Sequence, residues 1–342
     1  MTRTLAPEPR VAVVIPCYRV RDQILEVLEG IGPEVTAIYV VDDACPESTG
    51  NHVTTHCRDS RVRVLRNESN RGVGGATMRG YQAAIDEGMD ILVKLDGDGQ
   101  MDPALIPALV RPLRDGQADY AKGNRFFDLD VVSRMPAVRL AGNAMLSFVN
   151  KVTSGYWDIM DPTNGFTAIH ASVCRALPLQ KIARDYFFES DMLFRLATLR
   201  AVVLDVPMPA LYGDETSNIK LGRVAVTFPG RYVVRAAKRL FYGYFLRDFN
   251  AGTVQFLLGM LLALGGAAFG AVHWYRSVET GVPASTGTVI LAALPILLGG
   301  HLLISALNFD IAHLPRRPLH LQLAPRRRKA EELSRAREAR RE

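Results

Sequence analysis

Cysteine is scarce. The 342 residues hold four, Cys17, Cys45, Cys57 and Cys174, and no two are spaced as CxxC. No zinc site is implied, and reduced, packed thiols in a cytosolic domain are expected. The opening stretch MTRTLAPEPR has no apolar core, so no signal peptide is expected. No GxGxxG follows the first apolar run, where Pro16-Cys17-Tyr18 stands instead, which argues against a dinucleotide site. Residues 70–76, NRGVGGA, are glycine-rich but lack the Gly-Lys-Ser/Thr of a P-loop. No internal repeat is visible. Most of the chain also lacks a charge surplus. Residues 315–342 contain ten Arg or Lys and four Glu, and this surplus of six equals the net charge of the whole chain, +6. The remainder is near neutral, so no nucleic-acid partner is expected. The tail reads as a solvated cytosolic extension, with contact to anionic lipid head groups as the sharper alternative.

What is present is a strand–helix alternation. RVAVVIPCY (10–18), VTAIYVVDDA (35–44), RVRVLRN (61–67) and DILVKLDGDG (90–99) read as buried strands. DQILEVLEGIG (22–32) and GGATMRGYQAAIDEG (74–88) read as helices. Continuous apolar strands alternating with helices predict an α/β fold with a mostly parallel sheet covered on both faces. Ligands of such sheets sit at the carboxyl ends of the strands. Asp42 and Asp43 end the second strand, and Asp96 and Asp98 end the fourth, so both acid pairs point to one rim. Carboxylates at that spacing suit a hard divalent cation, Mg2+ or Mn2+, which takes one or two protein carboxylates along with water and substrate phosphates. In VKLDGDGQMDP (93–103), Asp96, Asp98 and Gln100 form the candidate metal set, while Asp102, followed by Pro103, reads as a helix cap.

Beyond residue 220 the character changes. Across residues 223–249, Arg231, Arg235, Lys238 and Arg239 share one helical face and aromatic residues fall largely elsewhere. That pattern suits a membrane interface. Residues 252–275 and 286–307 carry no formal charge, and each is long enough to span a bilayer. Basic residues flank the pair on both outer sides, which predicts a hairpin with both ends cytosolic. Its small residues can support self-association. The expected divisions are a catalytic domain over 1–220, an interface helix over 221–250, a transmembrane hairpin over 251–309 and a basic tail over 310–342.

The stretches VVIPCYR, VVDDACPEST, NRGVGGA, VKLDGDGQMDP, KGNRF, DPTNGFTAIHASV and FFESDML together resemble the family 2 glycosyltransferases of GT-A fold. Within that family the likeness is to polyprenyl-phosphate glycosyltransferases of the dolichyl-phosphate mannose synthase type, including bacterial members with two spans. The resemblance implies a multi-pass enzyme of the bacterial inner membrane. Its reaction would be metal-dependent and inverting, moving a sugar from a nucleotide diphosphate (GDP or UDP) to a lipid phosphate. It places Pro16, Tyr18, Asp42 and Asp43 at the nucleobase, and Gly72 and Asp96 at the rest of the donor. Asp98 and Arg125 belong to the catalytic set, Arg125 meeting phosphate near the acceptor. Arg134 and Arg139 are candidates for the lipid phosphate, Asp161, Asn164 and Gly165 border the sugar, and Glu189 and Asp191 mark the acceptor side. The type carries an arginine after its VP strand; Tyr212-Gly213-Asp214 stands there in this chain, leaving Lys220 as the available cation. A lipid phosphate is already anionic, whereas a sugar hydroxyl needs a base. The alternative expectation is therefore a family 2 enzyme extending a glycolipid or surface polysaccharide, with Asp191 as general base. The acid rim argues against a non-catalytic scaffold.

Overall fold

A computed structural model describes residues 8–127, 132, 133, 135, 137–209 and 221–323. Chain order gives β1 (Val11–Cys17), α1 (Ile24–Glu29), β2 (Val35–Asp42), α2 (Thr49–His56), β3 (Val62–Arg66), α3 (Gly72–Asp86) and β4 (Ile91–Lys94). A 3-10 turn (Pro103–Leu105), α4 (Ile106–Arg114) and β5 (Tyr120–Asn124) follow. Next come α5 (Ala137–Ser154), β6 (Thr167–His170), α6 (Ala171–Ala176), α7 (Phe188–Leu199), β7 (Val203–Pro207) and α8 (Leu221–Leu240). The last elements are a π-helical turn (Phe241–Leu246), α9 (Ala251–Thr280) and α10 (Thr286–Ala312). They form two compact units, one of the described residues up to 235 with 315–323, the other of residues 236–314.

The first unit is built on a seven-stranded sheet of order β3-β2-β1-β4-β6-β5-β7. All pairings are parallel except those of β6, which runs antiparallel to both β4 and β5. The four strands read from sequence lie together at one side of this sheet. One face buries Val13, Ile15, Val93, Leu95 and Ala168 against Ile24 and Val27 of α1 and Ile106 and Leu109 of α4. Removing so much apolar surface from water is the main stabilising term of the domain. On the other face α3 approaches so closely that a Cβ on Gly80 would meet Val14 and Val41. Asp102 accepts a hydrogen bond from the Ala104 N–H (2.9 Å) ahead of Pro103, as a helix cap does.

The chain returns to this unit at residue 315. Asp119, just before β5, accepts hydrogen bonds from the N–H groups of Val202 (2.8 Å), Leu319 (2.7 Å) and His320 (2.8 Å). The His320 ring lies 2.7 Å from the same carboxylate through Nδ1 and stacks on His170 at 3.8 Å. Burial, reinforced by the neighbouring His320, pushes the His170 pKa down from 6.5 to about 4. The folded state therefore prefers neutral His170, and the unfolded chain takes up its proton first as pH falls. Stability contributed by neutral His170 is present above about pH 6.5 and is lost between there and pH 4. A melting-temperature series over that range is expected to slope downward with acid, and His170→Gln to flatten it; an unchanged slope would contradict this account.

Helix α8 is anchored to its own domain through part of its basic face. Arg231 and Arg235 are both taken up by carboxylates. Arg231 pairs with Asp185 (2.7 Å) and lies over the Phe187 ring (4.5 Å), and Arg235 pairs with Asp191 (2.6 Å). Tyr232 is buried, with its hydroxyl 2.9 Å from Ser190 Oγ and accepting from Asn150 Nδ2. Val233 and Val234 are the exposed side chains of this stretch. Arg231 and Arg235 of the basic face thus meet carboxylates of their own domain, while Lys238, Val233 and Val234 are exposed.

In the second unit, Arg239 and the Tyr244 hydroxyl both bond to Asp310 of α10 (2.8 Å each). Phe241, Tyr242, Phe245, Leu246 and Phe249 are exposed. Helices α9 and α10, of 30 and 27 residues, are long and apolar enough to cross a membrane. At 1.5 Å per residue each exceeds the roughly 30 Å of a bilayer core. Glycines seven apart on α9 let them touch. A Cβ on Gly259 would lie 3.1 Å from the Gly299 carbonyl, and one on Gly266 would lie 2.9 Å from the Ala292 carbonyl.

Candidate active site

The carboxyl ends of the parallel strands gather the sequence-derived candidates on one rim. Tyr18 follows β1 and is 42% exposed, beside half-buried Pro16. Asp42 and Asp43 leave β2. Both oxygens of Asp42 are engaged by the N–H groups of Cys45 (2.8 Å) and Gly50 (2.7 Å), which shapes the loop into α2. That engagement gives Asp42 a structural task. Asp43 accepts from Asn67 Nδ2 (2.6 Å) and the Arg71 N–H (2.8 Å), tying the next loop to the rim. Gly72 has a left-handed φ of +75°, and a Cβ there would strike the Arg184 carbonyl. The Gly74 N–H also donates to that carbonyl (2.9 Å). The glycine turn expected to meet the donor therefore packs against residues 183–185 of its own chain.

Beyond β4 the acidic loop is partly open. Asp96 and Asp98 are half-buried and Gln100 is exposed. The Gln100 N–H donates to Asp98 Oδ1 (3.1 Å), so this residue first shapes the turn that presents Asp98. Among the described residues no group of three His, Cys, Asp or Glu side chains is poised around one metal position. Two hard oxygen donors still suit Mg2+ or Mn2+, which completes its octahedron with water and diphosphate. Gly165 keeps the space beside them clear: a Cβ there would sit 2.6 Å from Asp96 Oδ2. The residues present fit such an ion.

The cationic side of the rim is also fixed. Arg125, one residue past β5, gives a bidentate pair to buried Asp161 (Nε to Oδ2 2.8 Å, Nη2 to Oδ1 3.1 Å). The Arg125 side chain remains 35% exposed, so a held guanidinium still faces solvent. Asp161, expected to border the sugar, thus acts as the arginine's anchor. Asn164 is buried; its Oδ1 accepts from the Phe166 N–H (3.0 Å), and its Nδ2 meets Met208 Sδ (3.0 Å).

Two residues expected at the acceptor side separate in role. Glu189 starts α7 close to Lys94 (3.5 Å). Burial raises its pKa, opposed by Lys94 and Lys122. Asp191 is fully buried. Its Oδ2 accepts from the Ala183 N–H (2.9 Å) and Arg195 Nε (3.0 Å), and its Oδ1 from Arg235 Nε (2.6 Å). A carboxylate gripped by two guanidinium groups has no lone pair directed at solvent and is poorly set up to take a proton from a substrate hydroxyl. Arg134 and Lys220 lie outside the described residues, as does the side chain of Arg139.

Sequence reasoning missed two buried charges, Lys94 and Lys122, and a half-buried one, Asp205. Lys94 and Lys122 are fully buried and flank Thr167 in register, so they rise from one face of the sheet. Burial opposes the charge on Lys94, but Asp96 and Glu189 outweigh it and its pKa is raised. Burial brings Lys122 down to about 8 despite Asp161, Glu189 and Asp205. Asp205 of β7 accepts from the Met160 N–H (2.8 Å) and Asn124 Nδ2 (3.1 Å), and burial lifts its pKa to about 6. The only signal in the sequence was a lysine inside each of two short strands, ILVK and YAKGN.

A family model, Glycosyl transferase family 2, matches residues 12–177, a span holding the acid pairs, Arg125 and the Asp161–Phe166 loop. The undecaprenyl-phosphate mannosyltransferase of Micrococcus luteus is 32% identical over 204 residues, covering 58% of this chain and 82% of that protein. The chain is a family 2 glycosyltransferase. The transferase is also similar to the polyprenol monophosphomannose synthase of Mycolicibacterium smegmatis, at 28% identity over 60% of this chain and 78% of that one. Its fold is that of glucosyl-3-phosphoglycerate synthase from Mycobacterium tuberculosis, solved with Mn2+, UDP-glucose and phosphoglyceric acid. That match has a TM-score of 0.53 at 19% identity over 67% of this chain and 80% of that one. The mostly parallel sheet with antiparallel β6 is therefore a GT-A sheet.

Proposed function

We propose that the transferase moves a sugar from a nucleotide diphosphate to a polyprenyl phosphate at the cytosolic face of the membrane. The observation that carries the choice of acceptor is the confinement of Asp191 between Arg195 and Arg235. A hydroxyl acceptor needs a base in reach; a phosphate acceptor arrives as the nucleophile and needs positioning and charge neutralisation. Asp96 and Asp98, with Gln100 at the edge of the loop, would hold Mg2+ or Mn2+. When bound, that ion would neutralise charge on the departing diphosphate. Arg125, aimed by Asp161, would offer fixed donors to a phosphate. Tyr18 and Asp43 would border the nucleobase, and Glu189 the sugar.

The names of the relatives support this acceptor class: undecaprenyl phosphate in Micrococcus luteus, and dolichyl phosphate in a Methanococcus voltae N-acetylglucosaminyltransferase that is 26% identical. Helices α9 and α10 would span the bilayer, and the exposed aromatics at 241–249 would lie at its surface. Both ends of the hairpin join the first unit, in keeping with both lying on one side. The test is incubation of the purified full-length protein with Mn2+ or Mg2+, a panel of radiolabelled UDP- and GDP-sugars, and undecaprenyl phosphate. Chelator-sensitive label in the lipid phase is expected. Label that passes only to a glycolipid hydroxyl would sink the reading.

A further inference from the structure

The buried lysines beneath the rim have no part in the chemistry above, yet burying an ammonium ion is costly unless its partners are well placed. Lys94 has three of them, on three different elements. Its Nζ lies 2.7 Å from Asp96 Oδ1 in the acidic loop, 3.5 Å from Glu189 Oε1 on α7, and 3.3 Å from the Gly165 carbonyl. The adjacent Asn164 carbonyl accepts from Lys122. Those two carbonyls belong to the loop whose first residue, Asp161, grips Arg125. A continuous path of ion pairs and hydrogen bonds therefore runs from Asp96 through Lys94 and the 161–166 loop to Arg125. Gly165 is bound into the same arrangement, since a Cβ there would meet both Lys94 Nζ and Asp96 Oδ2.

We propose that Lys94 is a positioning residue for the divalent-cation site: it pins Asp96 against Gly165 and ties the acidic loop to the loop that aims Arg125. This rests on the reading of Asp96 and Asp98 as cation ligands. Two effects of removing Lys94 oppose each other, and their signs can be told apart. Deleting a positive charge beside Asp96 favours cation binding. Deleting the tether lets the Asp96 carboxylate leave its place and disfavours it. A core cation with only a charge-balancing task would show the first effect; the tether shows the second.

The experiment is a titration of full-length wild type, Lys94→Met, Gly165→Ala and Asp98→Asn with Mn2+ in the presence of UDP or GDP, reading free Mn2+ by electron paramagnetic resonance. Lys94→Met is expected to weaken Mn2+ binding about tenfold, the scale of a lost orienting partner. Gly165→Ala is expected to weaken it with the lysine charge retained. Folded Lys94→Met protein that binds Mn2+ as tightly as wild type, or more tightly, overturns the proposal. If Lys94→Met does not fold, Gly165→Ala decides, and Mn2+ affinity within twofold of wild type overturns it. Wild type that binds no Mn2+, indistinguishable from Asp98→Asn, overturns the cation-site reading as well, so the two failures are separable.

Discussion

Asp98→Asn lowers the rate of sugar transfer by about 10²- to 10³-fold, the scale of losing one preorganised charge-stabilising group. The substitution is nearly isosteric. Its side-chain oxygen still accepts the Gln100 N–H that shapes the loop (3.1 Å), so the fold and melting temperature stay close to wild type. What disappears is one of the two negative charges at the end of β4. The check is initial-rate transfer to undecaprenyl phosphate at saturating Mn2+, alongside a thermal melt. A variant within about threefold of wild type would remove the acid pair from the mechanism. Adding EDTA to wild type and restoring Mn2+ provides the same comparison without a mutation.

Asp191→Ala is expected to act on stability far more than on chemistry. It strands two guanidinium groups whose side chains are only 10% and 18% exposed, those of Arg195 and Arg235, and leaves the Ala183 N–H without its acceptor. Breaking a buried pair by removing one partner costs about 3–5 kcal/mol. In a domain of this size that corresponds to a fall in melting temperature on the order of 10 °C. Below that temperature the folded fraction is expected to retain kcat within about fivefold, because the phosphate acceptor brings no proton to remove. A loss of kcat beyond about 10³ with an unchanged melt would make Asp191 the base and turn the acceptor back into a hydroxyl. Differential scanning fluorimetry and single-time-point transfer assays on the same preparation separate the outcomes.

Strands β1 to β4 were legible because continuous apolar runs such as VAVVIPC and ILVK have few alternatives to a doubly covered strand. The rim followed, since carboxyl ends of parallel strands converge whatever the details. Strands β5, β6 and β7 were not read: YAKGN, TAIH and VLDVP are four or five residues long, and two of them carry a charge. No local pattern encodes the reversal of β6, which is set by which neighbours it pairs with. The same limit applies to Lys94. A lysine at the end of a strand reads as a surface residue until Glu189, far along the chain, arrives beside it. Periodicity finds the two faces of α8, but which one turns outward is not a local property. That depends on Asp185 and Asp191, more than forty residues earlier, which take Arg231 and Arg235. Asp42 and Asp43 look alike as adjacent letters, and only the backbone of the following loop assigns Asp42 to Cys45 and Gly50.

The bonds of Asp119 to Leu319 and His320 also fix an order of events during synthesis. Chains emerge from the ribosome N-terminus first, and domains begin to fold as they emerge. Residues 236–314, with both apolar helices, are translated before His320 exists. Until then, of the N–H groups that donate to the Asp119 carboxylate in the finished protein, the Val202 amide is available and those of Leu319 and His320 are not. The first unit is therefore completed last, after residues 236–314 have been synthesised.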